Sequence, residues 1–184
     1  QISTQMKIAV IGFSGSGKST LCRRLGEKYQ LPILHLDKVE HLPRWQIREL
    51  PEKLQMVENF MEENSSWVID GNYGKLFYWE RMEQADKIIM MRFNRFDALC
   101  RVVRRYWANR GKHRPDMAQG CNEKLDFKFI KRVLIDGRKK EFRDRHEKVL
   151  KRYPQKVIQL HTQQEIDTFW EEEEQQRHFH SLQQ

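Results

Sequence analysis

Eight residues near the start of the chain, Gly12-Phe13-Ser14-Gly15-Ser16-Gly17-Lys18-Ser19, satisfy the pattern G-x-x-x-x-G-K-[ST] at every fixed position. A loop of this kind binds phosphates only when a buried strand delivers it and a helix leaves it. Its glycines let successive backbone N–H groups converge without a Cβ in the way, and the helix N-terminus adds the positive end of its dipole. Both flanks are legible here. Lys7 to Ile11 is a short apolar run ending in glycine, the mark of a buried strand, while Leu21, Leu25 and Tyr29 recur at four-residue spacing. They give a helix that starts near Ser19 and ends before Pro32. Gly12, Ser14, Gly15, Ser16, Gly17, Lys18, Ser19 and Thr20 are therefore expected to cradle the phosphates of ATP. Lys18 is expected at the β- and γ-phosphates and the Ser19 hydroxyl on Mg2+. Nothing resembling a guanine-reading motif is visible, so ATP is favoured over GTP.

Four more short apolar runs read as buried parallel strands: Ile33 to Leu36, Trp67 to Asp70, Lys87 to Phe93 and Lys156 to Leu160. Helical spacing separates several of them. Leu54, Val57 and Met61 mark a helix over Glu52 to Asn64, and Leu99, Val103 and Trp107 one over Phe96 to Asn109. Asn94 with Asp97 reads as a helix start. Thr162 with Glu165 reads as a capping box opening a last helix with Ile166, Phe169 and Trp170. Strands alternating with helices imply an α/β fold. At 184 residues the chain suits one domain with insertions, and the tail from about residue 175 is expected to fray.

Composition, 39% hydrophobic and 33% charged, is that of a soluble chain, and no apolar run approaches the roughly 20 residues that cross a bilayer. The apolar stretch at Ile8 to Phe13 lacks the flanks of a signal peptide, so a cytoplasmic location is expected. Gln1 to Gln5 read as an expression remnant or a short native tail. Cys22, Cys100 and Cys121 show neither metal-ligand spacing nor a disulfide framework and read as reduced bystanders.

In an open parallel sheet, ligands sit beyond the carboxyl ends of the strands. Asp70 ends one strand, which suits an acid that holds Mg2+ through water, and Asp37 lies just past another, placed to orient an acceptor hydroxyl or take its proton. As a turn residue before Gly71, or as a cap, either aspartate has a purely structural reading too. His35 reads as structural. The net charge of +8 is concentrated: Arg92 to Arg152 holds 20 Lys or Arg against 8 Asp or Glu. Arg101, Arg104 and Arg105 share much of one helix face, and Arg110, Lys112 and Arg114 follow in a loop. Arginines closing over a triphosphate would neutralise the charge of the transferring group, so Arg101, Arg105 and Arg110 join Lys18 and Asp37 as catalytic candidates.

The phosphate loop, His35-Leu36-Asp37, Trp67-Val68-Ile69-Asp70-Gly71-Asn72-Tyr73 and Arg110-Gly111-Lys112-His113-Arg114-Pro115-Asp116 together resemble the bacterial P-loop kinase-like proteins described as DNA topology modulation proteins, relatives of adenylate and shikimate kinases. The resemblance runs from Met6 to about Trp170. It implies a three-layer sandwich around a five-stranded parallel sheet of order 2-3-1-4-5, an acceptor-binding segment at about residues 38–64 and an arginine-rich helical lid at about 110–124. Asp37, Arg44, Trp45, Gly71, Asn72 and Tyr73 are the implied acceptor residues. Adenylate kinases follow Asp-Gly with a phenylalanine, a proline and an arginine that contacts the acceptor monophosphate. Here Asn72-Tyr73 follow instead, and Asp37 is more like the hydroxyl-phosphorylating kinases, with Arg44, Trp45 and Arg48 able to grip an anionic acceptor.

Two functions stand at this point. One is a phosphotransferase moving the γ-phosphoryl of Mg-ATP to a small-molecule hydroxyl or nucleotide. The other is a nucleotide-regulated nucleic-acid-binding protein affecting DNA topology, although no helix-turn-helix, zinc-finger or RNA-binding motif is present. The direction of the arginines discriminates: toward the phosphate loop in the first case, across an open outer face in the second.

Overall fold

The computed structural model describes residues 5–110 and 125–181. Five parallel strands, β1 (Lys7–Gly12), β2 (Ile33–His35), β3 (Trp67–Asp70), β4 (Lys87–Met91) and β5 (Val157–Leu160), form one sheet in the order β2-β3-β1-β4-β5. Eight α-helices accompany them among the described residues: α1 (Lys18–Tyr29), α2 (Leu36–Glu40), α3 (Leu50–Glu63), α4 (Tyr78–Gln84), α5 (Arg95–Ala108), α6 (Phe127–Leu134), α7 (Lys140–Arg152) and α8 (Gln163–Ser181).

The strands are apolar on both sides because both sides are covered. Ile8 and Val10 of β1, Val68 of β3 and Ile89 and Met91 of β4 pack with α1, α5, α6 and α8 through Leu21, Leu25, Val102, Val133 and Phe169. Their neighbours Ala9, Ile11, Ile69, Ile88 and Met90 point the other way, onto Val39, Val57, Met82 and Val149 from α2, α3, α4 and α7. This is the two-residue alternation of a strand, filled with hydrophobic groups on each face. In register, Val10 lies beside Asp70, and His35 beside Asp70 on the other edge of β3. The carboxyl ends of β1, β2 and β3 thus converge on one rim.

The strand readings hold in position and order, with small shifts at the ends. β2 stops at His35, since Leu36 turns its buried side chain into the opening of α2; Asp37 accordingly sits in the first turn of a helix rather than past a strand. Asn94 caps α5 by accepting from the Phe96 and Asp97 amides at 3.1 and 2.9 Å. Thr162 Oγ accepts from the Glu165 amide at 3.2 Å. Helix α8 continues to Ser181, past residue 175 where the sequence suggested a fraying tail. No helix among the described residues is long and apolar enough to cross a membrane.

Candidate active site

Between β1 and α1 the chain turns through three glycines with positive φ, Gly12 at 138°, Gly15 at 78° and Gly17 at 90°. Gly12 is the most demanding. A Cβ there would stand 1.9 Å from the Met91 carbonyl oxygen, which also accepts the Phe13 amide at 2.9 Å. Only glycine lets β1 pass β4 this closely and still bend. No side chain caps the N-terminus of α1, so the first-turn N–H groups stay open for an anion.

A cavity of about 1150 Å³ opens on this loop. Ser14, Gly15, Gly17, Lys18, Ser19 and Thr20 line one side; Asp37, Asp70, Gly71, Asn72 and Tyr73 line another; Arg105 reaches in from α5. Of the remaining candidates, Gly12 lies behind the loop, and Ser16 is fully buried with its Oγ 3.4 Å from the Phe93 amide. Arg101 stacks on Phe93 at 4.5 Å and donates to Gln163 at 2.7 Å, beside the Gly17 backbone but outside the cavity. Arg110 stacks on exposed Trp107, Arg44 is exposed, and Trp45 meets the His41 ring edge-on, so these three also lie off the cavity wall. Apart from Arg110, the expected lid falls at 111–124, outside the described residues.

Lys18 Nζ donates to the Phe13 carbonyl at 3.1 Å. Burial lowers its pKa below the ordinary 10.5, against the Asp37 and Asp70 carboxylates, which raise it. A desolvated cation facing two carboxylates is poised to exchange them for phosphate oxygens. Asp70 is itself buried, its Oδ2 paired with His35 Nδ1 at 2.7 Å. The Asp37 carboxylate accepts from the Tyr73 phenol at 2.5 Å. Burial, then the neighbouring Asp37 charge, holds the Tyr73 pKa well above its usual value, so the phenol remains a donor at neutral pH.

Asn72 lines the cavity, yet its amide is occupied by the phosphate loop: Oδ1 accepts from the Gly12 amide at 3.0 Å and Nδ2 donates to the Gly12 carbonyl. Its own carbonyl accepts from Arg145 at 2.6 Å. Arg81, fully buried, donates to the carbonyls of Leu76, Gly71 and Tyr73 at 3.0, 3.2 and 3.2 Å, clasping the loop that carries Asn72 and Tyr73.

Several groups at the site escaped sequence reasoning. Arg132, Lys139 and Arg145, from α6, α7 and the turn between them, line the cavity. Arg138 and Arg92 flank the Phe13 ring at 4.5 and 5.6 Å. His146 packs against the same ring at 5.2 Å, buried, with neither ring nitrogen hydrogen-bonded among the described residues. Its signal was a stripe of Phe142, His146, Val149 and Tyr153 at helical spacing, hidden in a run of charge.

Burial, followed by the Arg92, Lys18 and Arg145 charges, lowers the His146 pKa to about 3. The unfolded chain, with a His near 6.5, binds this proton more readily than the folded one, so stability is present above pH 6.5 and falls as pH drops. His146 alone should remove about 2 kcal/mol of unfolding free energy between pH 7 and pH 5. Urea titrations of wild type and His146→Phe across that range check it: the variant's stability should lose this part of the slope.

No family model and no curated protein matches the chain. Solved structures do. An uncharacterized protein from Eubacterium ventriosum ATCC 27560 is 17% identical over 85% of this chain and 89% of that one, with a TM-score of 0.44. Shikimate kinase from Acinetobacter baumannii, solved in complex with shikimate, is 13% identical over 90% of this chain and 89% of that one, with a TM-score of 0.53. With the strand order β2-β3-β1-β4-β5 and helices on both faces, that likeness gives the chain the P-loop kinase-like fold.

Proposed function

We propose that the protein is a phosphotransferase that moves the γ-phosphoryl of Mg-ATP to a small-molecule hydroxyl or to a nucleotide, acting in the cytoplasm. The observation that carries this is the meeting of Lys18, Ser19, Asp37, Asp70 and Arg105 around one cavity at the mouth of the phosphate loop. The shikimate kinase likeness and the resemblance to the DNA topology modulation proteins fit the same reading at the level of the fold.

In this reading the loop amides and Lys18 hold the triphosphate, and Arg105 adds positive charge where it is needed in the transition state. The Ser19 hydroxyl and Asp70 carboxylate, oxygen donors lining the same cavity, suit a hard cation. Bound there, Mg2+ would neutralise charge on the β- and γ-phosphates. Asp37, its Oδ1 held by Tyr73, presents its other oxygen to the acceptor. The acceptor oxygen attacks the γ-phosphorus, the bond to the β,γ-bridging oxygen breaks, ADP leaves and the hydroxyl proton passes to Asp37. Residues 38–64 provide the acceptor side through Glu40, His41 and Ile47, and 110–124 serve as the lid. Of the candidate arginines, Arg105 lines the cavity and Arg101 lies against Gly17, which supports phosphotransfer, while Arg104 and Arg110 are exposed.

The test is coupled ADP release with Mg-ATP against a panel of nucleosides, nucleoside monophosphates and small hydroxy acids. Acceptor-dependent release is expected, with Asp37→Asn lowering kcat about 10²-fold and leaving the KM for ATP near its original value. ATP binding without turnover on any acceptor, or full activity in Asp37→Asn, overturns the proposal.

A further inference from the structure

Beneath the phosphate loop, on the buried side of Asp70, lies a second cluster of donors. Cys22 of α1, His35 at the end of β2 and Asp70 at the end of β3 each offer one ligand atom, and these atoms all lie within 4.8 Å of one another. They are 0%, 7% and 2% exposed. We propose that this trio is a site for a soft divalent cation of the zinc and cobalt class, chemically distinct from the hard-cation position proposed between Ser19 and Asp70. The inference reaches beyond the phosphotransferase reading and stands without it.

Donor chemistry selects the ion. A thiolate and an imidazole favour zinc-like cations, whereas magnesium seeks an octahedron of oxygens. A tetrahedral ion with bonds of roughly 2.0–2.3 Å needs donors about 3.3–3.8 Å apart. The His35–Asp70 pair, at 2.7 Å, has to open by about half an ångström, and the other donors, within 4.8 Å of one another, need close by no more than about 1 Å. A thiolate and a carboxylate together carry two negative charges, which a divalent cation cancels in a region shielded from water; the thiol releases its proton on binding. The three donors come from the buried face of the second turn of α1 and the ends of two adjacent strands, so the core fixes their positions before any ion arrives. Asp70 also lines the cavity, which gives the ion a route in. Because Asp70 belongs to both positions, a soft cation here would draw the carboxylate away from the triphosphate side.

Cobalt titration of the reduced, nucleotide-free full chain tests this independently of any activity. One Co2+ per chain is expected to bring a near-ultraviolet thiolate-to-cobalt charge-transfer band with the visible bands of tetrahedral Co2+, both abolished by added Zn2+. The charge-transfer band should vanish in Cys22→Ser and persist in Cys100→Ser and Cys121→Ser. His35→Gln, which keeps the thiol, should lose the tetrahedral visible pattern and provides a second reading if Cys22→Ser unfolds. A wild-type chain with no charge-transfer band at saturating cobalt, or a band that survives Cys22→Ser, overturns the assignment.

Discussion

Lys18→Met is expected to lower kcat by about 10³–10⁴-fold while leaving a folded protein. The two halves of that expectation have different origins. The catalytic loss follows from removing the one ammonium that the loop itself brings to the cavity, where in the proposed reaction charge would spread over the transferring phosphoryl group. The retained fold follows from burial, which makes the charged lysine costly and lowers its pKa. The sign of the pH dependence follows directly. With the folded pKa below 10.5, the unfolded chain binds the proton more tightly, so this group's contribution to stability improves as pH rises from the folded value toward 10.5. Methionine removes that slope. Coupled ADP release measures the first effect and urea titrations at several alkaline pH values the second. A variant less stable than wild type at neutral pH, with an unchanged alkaline slope, would show that the bond to the Phe13 carbonyl outweighs the desolvation of the charge.

Arg81→Met should cost about 3–5 kcal/mol of unfolding free energy, the largest stability effect expected of any substitution described above. The methionine fills much of the stem's volume but leaves the Gly71, Tyr73 and Leu76 carbonyls without their buried donor. Relief of guanidinium desolvation offsets part of this, since burial lowers the Arg81 pKa to about 10 and still leaves it charged at neutral pH. Arg81→Lys keeps a charge yet cannot fork to three acceptors, so it should recover only part of the loss. Urea midpoints at an unchanged m-value check both variants. A cost below about 1 kcal/mol for Arg81→Met would mean that the loop finds other donors or water.

The sheet was legible because its strands are buried on both faces and bounded by glycine, proline or charge, and the phosphate loop because its glycines recur at fixed spacing. Short elements were not. Helix α2 has five residues and α4 seven, too few to repeat an apolar spacing, and Phe77, in the left-handed region at φ 51°, starts α4 without a familiar cap. The buried run Ile33 to Leu36 looks like one strand although its last residue belongs to a helix. Helix α7 carried a readable stripe beneath its charges, and with it the groups around Phe13. Long-range pairings left no trace: Asn72 meets Gly12 across sixty positions, and Arg81 acts on carbonyls, which every residue possesses. The Cys22, His35 and Asp70 cluster is likewise assembled from three elements whose spacing in the chain matches no ligand pattern.

Asn72 and Tyr73 are consecutive residues, one fastened to the first glycine of the phosphate loop and the other to Asp37. The two fastenings therefore leave the backbone from adjacent Cα atoms, joined by one trans peptide unit about 3.8 Å long. That unit is planar, so the freedom between the two fastenings lies in the ψ of Asn72, the φ of Tyr73 and the two side chains, which their hydrogen bonds restrain. A displacement of the phosphate loop at Gly12 would thus be handed on to Asp37 through two neighbouring side chains, which ties together the two groups that the proposed reaction needs in register.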